Sequence, residues 1–146
     1  NRTRQEVVEE FLNDAIICVE QERDIDAFAH IDYICRYWPY RGTERELHLE
    51  DAPLLFDQLF KGLIKKNLPL EINTRRLDDA AAVAGLLPLY KRYHELGGRY
   101  CTLGSDAHYA EHIGRRLDKA LDFAKECGLQ PVYFKKRTMQ IMEECK

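Results

Sequence analysis

The chain has 146 residues, of which 45% are hydrophobic and 32% are charged, and its net charge is −3. The length predicts one domain, and the composition fits a globular protein with its own core. The acidic balance gives no general reason to expect nucleic acid as a partner. No apolar segment approaches the roughly 20 residues that span a membrane. Five cysteines without a CxxC pair, and no visible secretory signal, indicate a reduced cytoplasmic protein.

The first predicted element is a helix over residues 3–22. Its apolar residues recur at spacings of three and four, which is typical of one buried helix face. Thr3 and Glu6 have the spacing of a capping box. The chain enters this helix almost directly after Asn1, with neither an initiator Met nor an opening strand. We therefore expect a piece of a longer protein.

A short strand is predicted over residues 26–31, and it ends at a histidine, His30. Such a histidine is either a metal ligand or a packed core residue. The next segment, residues 33–42, mixes aromatic and basic side chains that could stack on a base or wall a small-molecule pocket. Arg36 and Arg41 in this segment could bind phosphate oxygens as bidentate forks, or could be surface charges.

The middle of the chain alternates between helix and strand signals. After a polar loop at 43–50, Pro53 is predicted to open a helix at its first turn. Residues 68–73 form the next predicted strand, with Glu71 and Asn73 on one face. The helix from Pro53 has the expected buried face Leu54, Leu55, Leu59, Leu63 and Ile64.

The second half repeats this alternation. Residues 78–87 suggest a short helix or an irregular lead-in, and a clearer helix is predicted to start at Pro88 and stop at Gly97-Gly98. A strand at 100–103 and a last strand at 131–134 follow, and the chain is expected to end in a basic turn and a short helical tail. Residues 109–112 are expected to lead into a helix between these strands, which carries Leu117, Ala120, Leu121 and Ala124.

The order of elements predicts an α/β fold. Strands and helices alternate without a hairpin signal, which indicates parallel strands joined by right-handed crossovers. Four strands are too few for a closed barrel of eight. We therefore expect either a small open sheet or part of a larger barrel.

The main candidate site follows the strand at 100–103. Gly104-Ser105 breaks that strand, and Asp106 and His108 come next at its carboxyl end, where α/β enzymes keep their chemistry. Two residues apart in an extended segment, a carboxylate and an imidazole share a face and can bind one metal or two neighbouring metals. The alternative is that Asp106 caps the next helix and His108 is a polar loop residue.

Three segments together carry a family resemblance: residues 29–32 (AHID), 70–74 (LEINT) and 103–108 (LGSDAH). In this order they resemble the PHP family of metal-dependent phosphoesterases, histidinol-phosphatase type. The resemblance implies the C-terminal half of a distorted (β/α)7 barrel with up to three divalent metals, Zn, Mn or Fe, at the carboxyl ends of its strands. It also implies that His30, Asp106 and His108 bind metals, and that Asp106 moves a proton.

The resemblance implies a phosphatase of histidine biosynthesis that acts on a small phosphorylated metabolite. Arg36, Arg41, Arg75 or Arg76 would bind the substrate phosphate. The N-terminal HxH pair of the family has no counterpart in the 146 residues, so we expect weak metal binding and no turnover from this chain alone.

Two other functions stay open from the sequence. One is a phosphoesterase of the same fold that acts on another phosphorylated metabolite or a nucleotide, with the aromatic segment stacked on a base. The other is a non-catalytic half-barrel that binds a partner or forms a homo-oligomer through an open sheet edge.

Overall fold

A computed structural model of the protein describes residues 2–143, so Asn1 and Cys145 lie outside the described residues. The chain is a mixed α/β structure with one four-stranded sheet. Its helices are α1 (Arg4–Gln21), α2 (Tyr33–Arg36), α3 (Pro53–Lys65), α4 (Ala80–Glu95) and α5 (Leu117–Cys127). Its strands are β1 (Leu70–Asn73), β2 (Tyr100–Gly104), β3 (Gln130–Lys135) and β4 (Thr138–Ile141).

The sheet has the strand order β1-β2-β3-β4. The first three strands are parallel, as the alternation of elements predicts. In β1, Leu70 and Ile72 are buried against the helices, whereas Glu71 and Asn73 share the opposite face. The register pairs Asn73 with Gly104 of β2, so the polar face of β1 continues onto the carboxyl end of β2.

The end of the chain differs from the prediction, because β3 and β4 form an antiparallel hairpin where we expected a helical tail. The two turn residues, Lys136 and Arg137, have φ of +50° and +63°. Such turns usually carry Asn or Gly, so the Lys-Arg pair gave no hairpin signal. The Arg137 guanidinium donates to both carboxylate oxygens of Asp26, each at 3.1 Å, and this long-range contact supports the turn.

The predicted strand at 26–31 is also wrong in extent. Only Phe28 pairs with the sheet: its amide donates to the Pro69 carbonyl at 3.0 Å, and its carbonyl accepts from Glu71 at 2.8 Å. The pairing stops because His30 takes a φ of +60°, which turns the backbone out of the extended conformation.

The helix that was predicted to start at Pro88 is longer than expected. It begins at Ala80, as α4, and contains Pro88 in its interior. The Asp79 side chain caps it by accepting from the amides of Ala81 and Ala82 at 3.0 and 3.3 Å. An aspartate at this position is a strong helix start. That local signal outweighs the tendency of proline to break a helix, and Pro88 lies on the exposed side.

The helices and the sheet enclose a single hydrophobic core. The Thr3–Glu6 capping box of α1 and the start of α3 at Pro53 are confirmed. Leu54, which we expected on the buried face of α3, is 82% exposed, and Leu117 (36%) and Leu121 (41%) of α5 are exposed as well. In α5 the buried face is instead formed by Ala120, Phe123, Ala124 and Cys127.

All four described cysteines are free thiols. Burial raises the pKa of the Cys35 thiol to about 11 and that of the Cys101 thiol to about 12. These thiols are therefore protonated at neutral pH and poorly reactive. Within residues 2–143, every helix is too short or too polar to cross a membrane.

Candidate functional site

The candidate site lies where the Phe28 segment, β1 and β2 end side by side. His30 follows the Phe28 bridge, Glu71 and Asn73 belong to β1, and Asp106 follows β2. Because these segments are parallel neighbours, their carboxyl ends meet at one edge of the sheet. The fold thus places residues that are 76 positions apart in sequence at one rim.

His30 is fixed to this rim through its backbone. Its amide donates to Glu71 Oε2 at 3.1 Å, while its ring nitrogen Nδ1 is buried without a hydrogen-bond partner in the described structure. A buried polar atom without a partner is costly, so it indicates a ligand position. The Asn73 side-chain amide nitrogen is buried and unpartnered in the same way.

Gly104 makes room for the Glu71 side chain. A Cβ atom at residue 104 would lie 2.2 Å from Glu71 Oε1. The absence of a side chain there lets the carboxylate reach across the end of β2 and accept from His30. Gly104 of the GSDAH segment therefore has a steric role at the rim.

Two arginines converge on the Asp106 carboxylate. Arg36 Nη1 donates to Asp106 Oδ2 at 2.8 Å, and Arg75 Nη1 donates to the same oxygen at 3.3 Å. Burial alone would raise the pKa of the Asp106 carboxyl, but the hydrogen bonds from Arg75 and Arg36, together with the nearby His30 ring, hold that pKa below its usual range. Asp106 is thus ionised at neutral pH, and its backbone φ is +52°.

His108 lies beside Asp106 on the exposed side of the rim. Its Nδ1 atom is 2.9 Å from the Asp106 carbonyl oxygen. If Nδ1 carries the proton and donates to that carbonyl, Nε2 keeps its lone pair for a metal, which is the usual arrangement of a metal-binding histidine.

The arginines predicted to bind substrate lie in different surroundings. Arg36 is 10% exposed at its side chain, and its Nε and Nη2 atoms are buried without partners in the part of the chain that the structure describes. Arg41 is exposed in a turn. Arg76 is 11% exposed and bonds Asp32 at 2.9 Å and also Glu46, which is a buried ion-pair network.

The predicted metal ligands are neighbours, but they do not form a closed cage. In residues 2–143 no group of three or more His, Cys, Asp or Glu side chains is arranged to hold a metal ion. Arg36 and Arg75 occupy the Asp106 carboxylate, and His108 is exposed.

Sequence reasoning missed a cavity of about 350 Å³ that adjoins Asp106 and His108. Its other walls include His112, Arg115 and Arg116, in a segment that we expected only to lead into a helix. The one available signal was the Arg115-Arg116 pair after Gly114. Gly114 and Arg116 have φ of +75° and +57° and turn this segment back toward the rim.

A probable histidinol-phosphatase from Clostridium acetobutylicum is 40% identical to the chain over 137 residues, which are 94% of this chain and 53% of that protein. The chain is similar to histidinol-phosphatases. The histidinol-phosphatase of Lactococcus lactis is 29% identical over 127 residues, which are 87% of this chain and 46% of the relative. No protein-family model matches the chain.

A solved histidinol phosphate phosphatase from Lactococcus lactis, complexed with zinc, L-histidinol and phosphate, has a similar structure. The TM-score is 0.81 at 26% identity, and the match covers 96% of this chain and 53% of that chain. The chain therefore spans about half the length of the histidinol-phosphatases it matches.

Proposed function

We propose that the chain is the C-terminal part of a histidinol-phosphatase, a metal-dependent phosphoric monoester hydrolase of histidine biosynthesis. The observation that carries this proposal is the 40% identity to a probable histidinol-phosphatase, which extends over 94% of the chain. The parallel order of the Phe28 bridge, β1, β2 and β3 supports a segment of a PHP-type (β/α)7 barrel.

The donor set at the rim fits a transition metal. His30, Asp106 and His108 supply two imidazoles and a carboxylate, the mixture that suits Zn, Mn or Fe better than Ca. The buried, unpartnered Nδ1 of His30 supports this fit, because a metal would satisfy it. We propose that these three residues contribute to a centre of up to three metals in the complete protein.

Divalent metals in such a centre supply Lewis acidity and a hydroxide nucleophile at neutral pH, which hydrolysis of a phosphate monoester requires. The chain's own residues provide the rest. The ionised Asp106 accepts a proton at Oδ1 or Oδ2. His108 is oriented by the Asp106 carbonyl, and Arg36, with two unpartnered guanidinium nitrogens, binds a phosphate oxygen.

Among the predicted substrate-binding arginines, the surroundings favour Arg36. A guanidinium with free donors beside the proposed metal ligands can form the bidentate fork that phosphate accepts. Arg41 and Arg76 stay predictions. To bind the substrate phosphate, Arg76 would have to break its ion pair with Asp32 or Glu46.

The test uses the complete reading frame that contains this chain, purified with zinc and assayed with histidinol phosphate. Asp106→Asn is expected to lower turnover at least 100-fold and to reduce bound zinc, because it removes the ionised ligand. His94→Gln is the control, since His94 is exposed and, within residues 2–143, the only hydrogen bond of its side chain is with the Gly98 carbonyl. Full activity of Asp106→Asn, or no hydrolysis by the wild type, would contradict the proposal.

A second candidate function is hydrolysis of a nucleotide or another phosphorylated metabolite that carries a ring. Tyr33 and Tyr37 are 50% and 66% exposed, their rings are 5.1 Å apart, and Tyr33 packs edge-on against His30 at 6.3 Å. Trp38 is less available, because it packs on Tyr40. Faster hydrolysis of nucleoside monophosphates than of histidinol phosphate, lost in Tyr37→Ala, would favour this candidate.

A further inference from the structure

We infer that the outer edge of β4 is a self-association surface, on which β4 of a second copy of the protein pairs in antiparallel orientation. β4 is the last strand of the sheet, and β3 and β2 separate it from β1. The Phe28 segment bridges the free side of β1. Within residues 2–143 no strand pairs with the outer edge of β4. This edge lies outside the candidate site, so the inference goes beyond the proposed function.

The register of the β3–β4 hairpin shows which backbone groups point outward. Hydrogen-bonded and non-hydrogen-bonded residue pairs alternate along an antiparallel ladder. Met142 and Pro131 form a hydrogen-bonded pair, because the Met142 amide donates to the Pro131 carbonyl at 3.0 Å. Ile141 and Met139, one and three positions earlier, therefore belong to non-hydrogen-bonded pairs. Their amide and carbonyl groups point away from β3 and are available to another strand.

The sequence of β4 lacks the features that usually keep an edge strand from pairing. Protected edges commonly carry charged residues, proline or a β-bulge. Residues 138–141 have the sequence TMQI, without a charge or a proline, and all four pair with β3 in an unbroken register. Ile141 is also 50% exposed. The strand thus presents an uncharged, partly apolar edge.

One register makes this edge complementary to itself. A two-fold axis at Gln140 sets Gln140 opposite Gln140 of the second copy, and it sets Met139 opposite Ile141 on both sides of the axis. Each of these two Met139–Ile141 pairs can exchange two backbone hydrogen bonds, because the outward groups of both residues are free of β3. The same patch then serves both copies, as a symmetric dimer requires.

The charges at the two ends of the strand fit the same register. Arg137 precedes β4 and Glu143 follows it, and the register sets Arg137 of each copy opposite Glu143 of the other. Opposite charges that face each other across two strands are stabilising. Arg137 donates to Asp26 through Nε and Nη2, and its Nη1 lies 3.5 Å from the exposed Asp24. Glu143 is exposed. A second copy is therefore the partner that this charge order fits.

The experiment uses the complete protein that contains this chain. Wild type and variants are first shown to fold by far-ultraviolet circular dichroism and one cooperative thermal transition. Analytical ultracentrifugation then measures the dimer Kd. Gln140→Lys places two like charges opposite each other at the axis and is expected to raise this Kd about tenfold.

Ile141→Pro removes an outward amide from each copy and none that bonds β3, so it is also expected to raise the Kd at least tenfold. Ile141→Val is the matched control, because it keeps both the amide and a β-branched side chain. Its dimer Kd should equal that of the wild type. If Ile141→Pro does not fold, Gln140→Lys decides the question.

A monomeric wild-type protein would overturn the inference, because it would show that β4 is covered within one copy or does not associate. A dimer whose Kd is unchanged in the folded Gln140→Lys variant would overturn it as well. An equal loss in Ile141→Val and Ile141→Pro would also contradict the assigned role of the amide. Since sedimentation does not depend on turnover, a folded dimer that fails to hydrolyse histidinol phosphate would contradict the proposed function alone.

Discussion

The rim has two parts that differ in burial. The inner part contains Arg36 and Arg76, with side chains 10% and 11% exposed. Arg36 is bonded to Asp106, and Arg76 is bonded to the buried carboxylates of Asp32 and Glu46. The outer part contains Arg75, 53% exposed at its side chain, together with the exposed Arg115. The arginine side chains of the inner part are therefore shielded from solvent, whereas those of the outer part are accessible to it. Three variants in the rim test this difference, beginning with the largest expected effect, and Asp51→Asn tests an ion pair outside it.

Arg76→Gln is expected to lower the free energy of unfolding by about 3–5 kcal/mol, because it leaves Asp32 and Glu46 as buried charges without their partner. Both carboxylates are only 5% exposed. Urea unfolding followed by circular dichroism measures the change. Arg45→Gln is the control, since Arg45 bonds the same Glu46 from an exposed position, and a loss above 1 kcal/mol there would contradict the distinction.

Gly104→Ala is expected to lower the free energy of unfolding by about 1–3 kcal/mol, the usual cost of overpacking. The new methyl group would displace the Glu71 carboxylate, which accepts from the His30 amide. Amide exchange measured by NMR should show faster exchange at His30 in this variant. An unchanged His30 exchange rate would mean that Glu71 does not hold this part of the rim.

The partly buried ion pair between Arg4 and Asp51 lies outside the rim and makes stability depend on pH. Burial would raise the pKa of Asp51, but hydrogen bonds from Arg4 and from the His48 amide lower it below the usual value. A lowered folded-state pKa gives stability that is present above the unfolded pKa of about 3.9 and is lost as the pH falls through the folded value.

Unfolding measured between pH 6 and 3 should therefore show a smaller acid-induced loss in Asp51→Asn than in the wild type. The variant starts from a lower stability at pH 6, because the neutral amide has no bidentate charge interaction with Arg4. Identical pH profiles for the two proteins would show that Asp51 does not contribute to the loss of stability at low pH.

The smallest expected effect is that of Arg75→Gln, below about 1 kcal/mol on unfolding, because the exposed Arg75–Asp106 pair is screened by solvent. The same urea experiment measures it. A loss comparable to that of Arg76→Gln would abolish the division between the inner and outer parts.

The sequence predicted the elements whose signals are local. The capping box of α1, the proline that opens α3 and the parallel β1–β2 pair follow from spacing and turn residues. The β3–β4 hairpin was missed because its Lys136-Arg137 turn depends on a distant partner, Asp26. A contact between residues so far apart in the chain cannot be predicted from the local sequence around the turn.

The candidate site likewise contains residues that local sequence predicted and residues that it did not. His30 and Asp106 could be named from short segments at strand ends, and the fold brings both to one rim. The cavity wall at Arg115 could not be predicted, because it depends on the buried Thr74 hydroxyl of another loop. The ion pairs of Arg76 with Asp32 and Glu46 also join segments that lie 30 or more residues apart.

The left-handed backbone at His30 and Asp106 has a consequence for how ligands would be recognised. Conformations of this kind cost on the order of 1–3 kcal/mol for residues other than glycine, and here they are adopted at two of the proposed metal ligands. That cost is met during folding by the surrounding core, so it does not reduce the affinity for the incoming ion. We therefore propose that the centre is preorganised in this sense, so that binding of a cation would require adjustment of side chains rather than of the main chain at these two residues.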